Sequence, residues 1–506
     1  MTLSRLPLSR KLNKRGESSA PQGDPLTSAL RPFRLGQVLL NSGQLLAGRF
    51  VAGFLQFAAM ALIARHLGAA EFGYWGYALG FVSFLAAATD LGLSTLVMRD
   101  LSLRSTKESA YLGTAILLKV AICILAVAGA LLIERVVNDD GEARILIWLL
   151  GFQMLIFSMT DLLYAMFRAR EKLVIEAALR TGQGAAFLVV VVLLTIWGAP
   201  ATAIAGGYIA VSMAGFGLAV RLAHKSFQID IAFDSKLARR LLAELWPLGT
   251  GVIMTTVYYY FDRVYMGSLG QTEAVGWYTA AYTFAIWAAI IVTALRNAFL
   301  PAQSRALIEG NEPGDLLNAY GRVSVCAAIT IGVSGVFFAR PLLGVFFGRE
   351  FEAGTFALQM LMITGGFMFL SSFYGSHLIV LGRQRLYLAG VTLGAVANVS
   401  LNLFLIPRYS LDGAAVATLA SEAVVFLSMF AVCSKLIPQL KVIAIAWVPL
   451  RAAAVLAAVF LLASLVLPTT VAVSLAMAAF LAASLLFGLL TEGQHSALPV
   501  VKEVAA

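Results

Sequence analysis

The sequence predicts an all-α polytopic membrane protein built of two six-helix lobes and a two-helix C-terminal extension, and three observations carry that reading. Hydrophobic residues make up 60% of the 506, charged residues only 13%, and mean hydropathy is +0.85. A soluble domain of this length does not have that balance. Apolar segments recur along the whole chain, each long enough to cross a hydrocarbon core about 30 Å thick. Finally, the phrase LGAAEFGYW at 67–75 returns, with a one-residue gap, as LGQTEAVGWY at 269–278. In both copies Leu-Gly ends one span, a Glu follows three residues after the Gly, and Gly with two aromatics opens the next span. Internal repeats are a frequent basis of transporter folds.

Taken in order, residues 1–35 are polar and basic, carry Pro7, Pro21, Pro25 and Pro32, and contain no apolar run. They read as a disordered cytoplasmic tail, and the first apolar stretch is too long for a cleavable signal. Fourteen spans follow, at 38–64, 72–98, 110–133, 145–167, 173–197, 201–221, 246–269, 276–299, 319–339, 355–381, 387–406, 412–433, 446–467 and 469–490. All are expected to be helices, because an open sheet edge in lipid leaves backbone groups unsatisfied. Spans one to six form an N-terminal lobe at 36–222, and the basic segment 223–245 is the cytoplasmic linker to a C-terminal lobe at 246–434. The last two spans, split by Pro468, form an extension at 446–490, and 491–506 is a second cytoplasmic tail. A further echo joins FRAREKL at 167–173, after span four, to LGRQRLY at 381–387, after span ten. An even number of spans separates equivalent helices, so the lobes are expected to be related in parallel by a pseudo-twofold axis near the membrane normal.

The net charge of +10 is distributed by side. With the N-terminal tail inside, the inner loops hold eighteen Lys and Arg against six in the outer loops, and the outer loop at Asn138, Asp139 and Asp140 is acidic. The positive-inside rule then places both termini in the cytoplasm, which fits the bacterial inner membrane and makes a nucleic-acid partner unnecessary. Cys123, Cys326 and Cys433 lie in or beside apolar segments and read as buried thiols. No Walker loop, Gly-x-Ser-x-Gly elbow or metal-ligand spacing occurs, and the outer loops are short. These features predict a transporter without a cofactor and not an enzyme.

Charges at membrane depth are costly, about 2.5–3.5 kcal/mol each on insertion scales, and mark candidate sites. On span one, Asn41, Gln44, Gly48, Arg49 and Gln56 share an arc of about 140° at 100° per residue. That face is wet or pairs with protein. Two readings of Arg49 stand: a buried interhelical salt bridge, or a cavity-facing guanidinium suited to bidentate phosphate binding. Span seven carries a similar stripe of about 120°, with Thr255, Thr256, Tyr259, Asp262 and Arg263. Asp262 and Arg263 either neutralise each other or form part of a substrate path. Lys119 is expected to snorkel to the headgroups. Arg180 has Glu176 one turn before it, the spacing of a local pair, and is a third candidate substrate cation. Asp90 caps a broken helix end or serves ion coupling. Glu422, with no evident local partner, is the leading candidate for coupling to protons. His377 reads as a satisfied interior histidine.

The segments GRFVAGFLQFAAMALIARHLGAAEFGYW at 48–75 and ATDLGLSTLVMRDL at 88–101, with the arrangement of twelve spans plus two, are similar to a known family. The chain resembles the polysaccharide transporter (Wzx-type flippase) branch of the multidrug/oligosaccharidyl-lipid/polysaccharide exporter superfamily, over about residues 36–490. The resemblance implies a V-shaped pair of lobes around a central cavity, and movement of an undecaprenyl-diphosphate-linked oligosaccharide between leaflets for cell-surface or exopolysaccharide biosynthesis. The implied partners are that lipid-linked glycan and membrane lipid, with a polysaccharide polymerase and a chain-length regulator as candidates. A lipid II flippase and a cation-coupled multidrug antiporter are the alternatives. An antiporter of that kind should have a net acidic cavity, whereas the embedded charge here leans cationic.

Overall fold

A computed structural model describes residues 35–102, 108–134, 141–227, 232–308, 314–436 and 442–492. The expected tails and the acidic loop at 138–140 lie outside the described residues. Among those described, the secondary structure is helical with no strand. In order the helices are α1 (Leu35–Asp90), α2 (Leu93–Ser102), α3 (Glu108–Glu134), α4 (Gly141–Ala169), α5 (Leu173–Ile196), α6 (Ala201–Ser226) and α7 (Ser235–Ser268). They continue with α8 (Thr272–Ile308), α9 (Gly314–Phe346), a 3₁₀ turn (Arg349–Gly354), α10 (Thr355–Val380), α11 (Gln384–Leu436), α12 (Val442–Ser464) and α13 (Thr469–Glu492). Most of the segment expected as a linker, 223–245, is helix, shared between the end of α6 and the start of α7.

Nine helices among the described residues are long and apolar enough to cross a membrane, or ten when the bent α7 counts as one span. Among the described residues, some of the fourteen expected spans share a helix and others are short. α1 runs through two expected spans and is broken only at Gly68, where φ is 75° and ψ 175°. α11 likewise contains a break at Ser410 (φ 50°), just after Pro407. The apolar parts of α12 and α13, Pro449–Ser464 and Val471–Ser484, are shorter than a full span. α7 bends by 42° between Ser235–Trp246 and Leu248–Ser268, at Pro247, whose missing N–H removes a helical bond.

Both copies of the repeated phrase turn on a glycine of positive φ, 75° at Gly68 and 74° at Gly270. Only glycine adopts that conformation without strain. Ala69 N–H, at the start of the second half of α1, donates to Glu350 Oε1 at 3.0 Å, so a carboxylate caps an otherwise orphan helix start. Ser410 Oγ donates to Gln271 Oε1 at 2.9 Å and ties the α11 break to the α7–α8 turn.

The two copies also pack on each other. A Cβ on Gly73 would sit 1.8 Å from the Thr272 carbonyl oxygen, and one on Gly276 would sit 2.0 Å from that of Ala69. Each contact joins one glycine to the residue four before the other, so the relation is reciprocal. Around this seam one apolar core unites both halves through Phe57, Phe72, Trp75, Tyr278, Phe347 and Phe351. Toward the opposite end the core divides. One part gathers α2 to α6 and the start of α7 around Tyr111, Phe167 and Leu241, and another gathers α9 to α11 around Tyr320, Phe373 and Met429. A small cluster of Ala452, Phe480 and Ala483 holds α12 against α13 and α9.

Candidate functional site

Small residues bring α1 and α5 together. A Cβ on Gly48 would lie 2.7 Å from Ala177 Cβ, Gly184 fits against Leu55, and Thr181 Oγ1 donates to the Gly48 carbonyl at 3.3 Å. Such close approach is how membrane helices associate when apolar burial gives no drive. It carries Arg49 to Glu176, a carboxylate with no solvent exposure. Glu176 Oε1 accepts from Arg180 Nε at 2.9 Å, Arg168 Nη1 at 3.0 Å and Arg49 Nη2 at 3.4 Å, while its buried Oε2 has no partner. Arg180 also donates to Asp161 Oδ1 at 2.8 Å and lies 4.6 Å over the Tyr164 ring, and Arg168 reaches Asp161 Oδ2 at 3.5 Å. Three guanidiniums thus share two carboxylates, leaving one positive charge in excess. Arg49 has the longest contact and is 42% exposed, against 16% for Arg168 and 21% for Arg180. It is the most exposed of the three, but neither it nor Arg180 lines either of the two internal cavities, so the expectation of a cavity-facing guanidinium at Arg49 is not met there.

Asp161 also faces a cavity of about 370 Å³, together with Asp90, Ser83, Ser158, Thr256 and Tyr260. Asp90 accepts from Ser94 Oγ at 2.7 Å and from Gly92 N–H at 3.2 Å, so it caps α2 where Leu91 and Gly92 take positive φ. It also pairs with Lys119 at 2.9 Å. Lys119 is fully buried, which corrects the expectation that it snorkels: the Asp90 carboxylate from another helix neutralises it at depth.

A second cavity, of about 170 Å³, lies in the C-terminal half and is lined by Tyr259, Glu422, Arg296, Tyr387 and several hydroxyl side chains. Tyr258 donates to Glu422 Oε2 at 2.6 Å, supplying the partner that Glu422 lacks on its own helix. α7 stands between the two cavities, with Val252, Thr256 and Tyr260 toward the larger and Thr255, Tyr258 and Tyr259 toward the smaller.

The remaining candidates are dispersed. Arg263 is 3% exposed, lies 4.4 Å over the Tyr282 ring and 4.6 Å over Tyr260, and donates to the Tyr259 carbonyl at 3.1 Å. It lines neither cavity, and Asp262 is 4.0 Å away with its carboxylate held by Tyr278 and the Arg263 N–H. Gln56 donates to Tyr208 at 3.4 Å, linking α1 to α6. Asn41 and Gln44 are in α1, but their side chains lie outside the described residues. His377 is buried with Nδ1 unpaired. Sequence reasoning missed Arg168, Tyr258 and Arg296. Both arginines stand near span ends and were counted as orientation charges, although Arg168 stands eight residues before Glu176 across the FRAREKL elbow.

Long apolar helices broken by glycine, internal cavities and paired charge at depth define a multi-pass membrane transporter. The family model for polysaccharide biosynthesis proteins matches residues 38–307, more than half of the chain, and the chain belongs to that family. Among curated relatives, it is 24% identical over 400 residues, 75% of this chain and 79% of the other, to a Haloferax volcanii protein assigned as the low-salt glycan biosynthesis flippase Agl15. It is 20% identical over 392 residues, 75% of this chain and 93% of the other, to a Shigella flexneri protein assigned as an O-antigen transporter. Its fold is similar to that of the lipid II flippase MurJ in an inward closed conformation, with a TM-score of 0.71, 14% identity, and coverage of 90% and 99% of the two chains. A multidrug resistance transporter of the MOP superfamily in an inward-facing conformation gives 0.60, at 14% identity and coverage of 76% and 95%. The family and these relatives are transporters and not enzymes.

Proposed function

We propose that the chain is a flippase that carries undecaprenyl-diphosphate-linked oligosaccharide repeat units across the cytoplasmic membrane for cell-surface polysaccharide. The observation that carries the reading is the excess guanidinium charge around Asp161 and Glu176, with Arg49 its exposed member. A diphosphate needs such donors. The glycan travels in the wet interior while the prenyl tail stays in lipid. Arg49 and Arg180 hold the diphosphate, and Arg263 acts through the α7 wall.

With no nucleotide-binding loop, the drive is an ion gradient or the membrane potential, worth about 2.3 kcal/mol per charge per 100 mV. Glu422, with Asp90 and Asp262, is the proposed coupling set. In this reading the halves of α1 and α11, the bent α7 and the shorter α12 and α13 count as separate spans, which gives fourteen with both termini in the cytoplasm. The reciprocal contact of Gly73 and Gly276 supports a parallel pseudo-twofold relation of the lobes. A polymerase and a chain-length regulator receive the product on the far side.

The test is glycan export in a strain lacking the gene, with membrane abundance measured alongside. Arg49→Ala should reduce export at normal abundance. Full export by that variant would end the phosphate-clamp role.

A further inference from the structure

We infer that the cavity in the C-terminal half is a subsite for a single sugar ring of the lipid-linked glycan, an assignment that rests on the flippase reading. The argument is a donor and acceptor count. A hydroxyl has one proton to donate and two lone pairs. Thr255 gives its proton to the Gly251 carbonyl at 2.8 Å, Thr293 to Ala289 at 2.9 Å and Ser376 to Ser372 at 2.6 Å, and Ser371 shares its proton between the Phe367 carbonyl at 3.0 Å and Glu422. All four side chains line the cavity, and what they have left to offer is lone pairs. The Glu422 carboxylate adds further acceptor sites beyond those that face Tyr258 and Ser371. Against these stand the Arg296 guanidinium, which no hydrogen bond or ion pair reaches among the described residues, and the phenolic hydroxyls of Tyr259 and Tyr387. Tyr259 and Tyr387 supply ring surface.

A phosphate is acceptor-only and would meet a wall of acceptors, and an inorganic cation would meet the guanidinium. A sugar ring brings a donor on every hydroxyl, acceptor oxygens for Arg296, and an apolar C–H face for the tyrosines. The volume of about 170 Å³ suits one ring and not an oligosaccharide. The two halves then divide the cargo: donors on the N-terminal side take the diphosphate, acceptors on the C-terminal side take a sugar, and α7 separates them.

The experiment uses the full chain in lipid nanodiscs, titrated with farnesyl diphosphate and with the same lipid carrying one N-acetylglucosamine or one galactose. The parent should bind at least one sugar-bearing probe about tenfold more tightly than the bare diphosphate. Arg296→Gln should remove most of that preference. So should Thr293→Val, which keeps the side-chain shape and guards against misfolding. Neither should change the affinity for bare farnesyl diphosphate. Arg49→Ala should weaken all probes alike. If the parent shows no sugar preference, or if Thr293→Val and Arg296→Gln leave it intact, the sugar subsite is wrong. If the preference behaves as expected while Arg49→Ala changes nothing, the phosphate clamp fails and the sugar subsite stands.

Discussion

The two ends of the bundle solve opposite problems. At the end that carries Gly68, Gly270 and the Ser410 break, the halves meet through bare backbone. Gly73 and Gly276 leave no room for a Cβ, and aromatic side chains fill the surrounding core. Toward the other end the apolar core splits, and charge, hydroxyls and cavities occupy the space between. The first arrangement depends on shape and tolerates no added atoms. The second depends on counting charges and hydrogen bonds, and its members differ widely in how replaceable they are.

The seam should give the largest effect. Gly276→Leu adds a side chain whose Cβ alone would overlap the Ala69 carbonyl oxygen at 2.0 Å, a contact with backbone that no rotamer change relieves. The halves must separate, so we expect membrane abundance to fall severalfold and export with it. Gly206→Leu, at a glycine with nothing within 4 Å of its Cβ position, should leave abundance near that of the parent. Equal abundance of the two variants would mean that the seam is not under the constraint described.

Next in size is Arg180→Met. Removing it leaves Glu176, which has no solvent exposure, with one fewer cation, and strips Asp161 of its 2.8 Å partner. Breaking a buried pair from one side costs about 3–5 kcal/mol. Thermal unfolding in detergent should show a clear loss, and Arg180→Lys should recover only part of it, because an ammonium cannot bridge both carboxylates as the planar fork does. Lys119→Met, which orphans Asp90, should behave in the same direction but less strongly, since Asp90 keeps its bonds to Ser94 and Gly92. A Lys119→Met protein as stable as the parent would show that the cap alone holds Asp90.

Much of the first region was legible in the sequence. Two copies of Leu-Gly before a Glu and a Gly-aromatic pair marked both turns, and both Gly68 and Gly270 do adopt positive φ. That the two phrases touch each other was not legible, because contact between residues two hundred apart depends on how the halves assemble. The charged region was read residue by residue, and that is where it went astray. Depth in a span is visible in the sequence, but the expectation that Lys119 snorkels to the headgroups fails, because the side chain is fully buried. The carboxylate that neutralises it comes from a different helix. The polar stripe expected on α7 does not face one site: Thr256 lines the larger cavity, Tyr259 the smaller, and Arg263 sits in an aromatic cage. Arg168 and Arg296 were hidden by the positive-inside pattern, which explains their sign without asking what they touch.

The smallest stability effect should come from Arg49, and that is what would set it apart from the rest of its cluster. Its contact with Glu176 is 3.4 Å, the longest of the three, and Glu176 keeps Arg168 at 3.0 Å and Arg180 at 2.9 Å without it. With a side chain 42% exposed, solvent screens the pair, and such ion pairs contribute about 0–1 kcal/mol. Arg49→Gln should therefore unfold within a degree or two of the parent, while Arg180→Met does not. Export should reverse the order of what a packing role would give. Arg49→Gln loses it at normal abundance, and Arg49→Lys, which keeps the charge but not the bidentate fork, retains an intermediate level. Measuring unfolding and export on the same three preparations separates the roles. If Arg49→Gln is as destabilised as Arg180→Met, then Arg49 is one more strut in the cluster, and the two regions differ in chemistry but not in purpose.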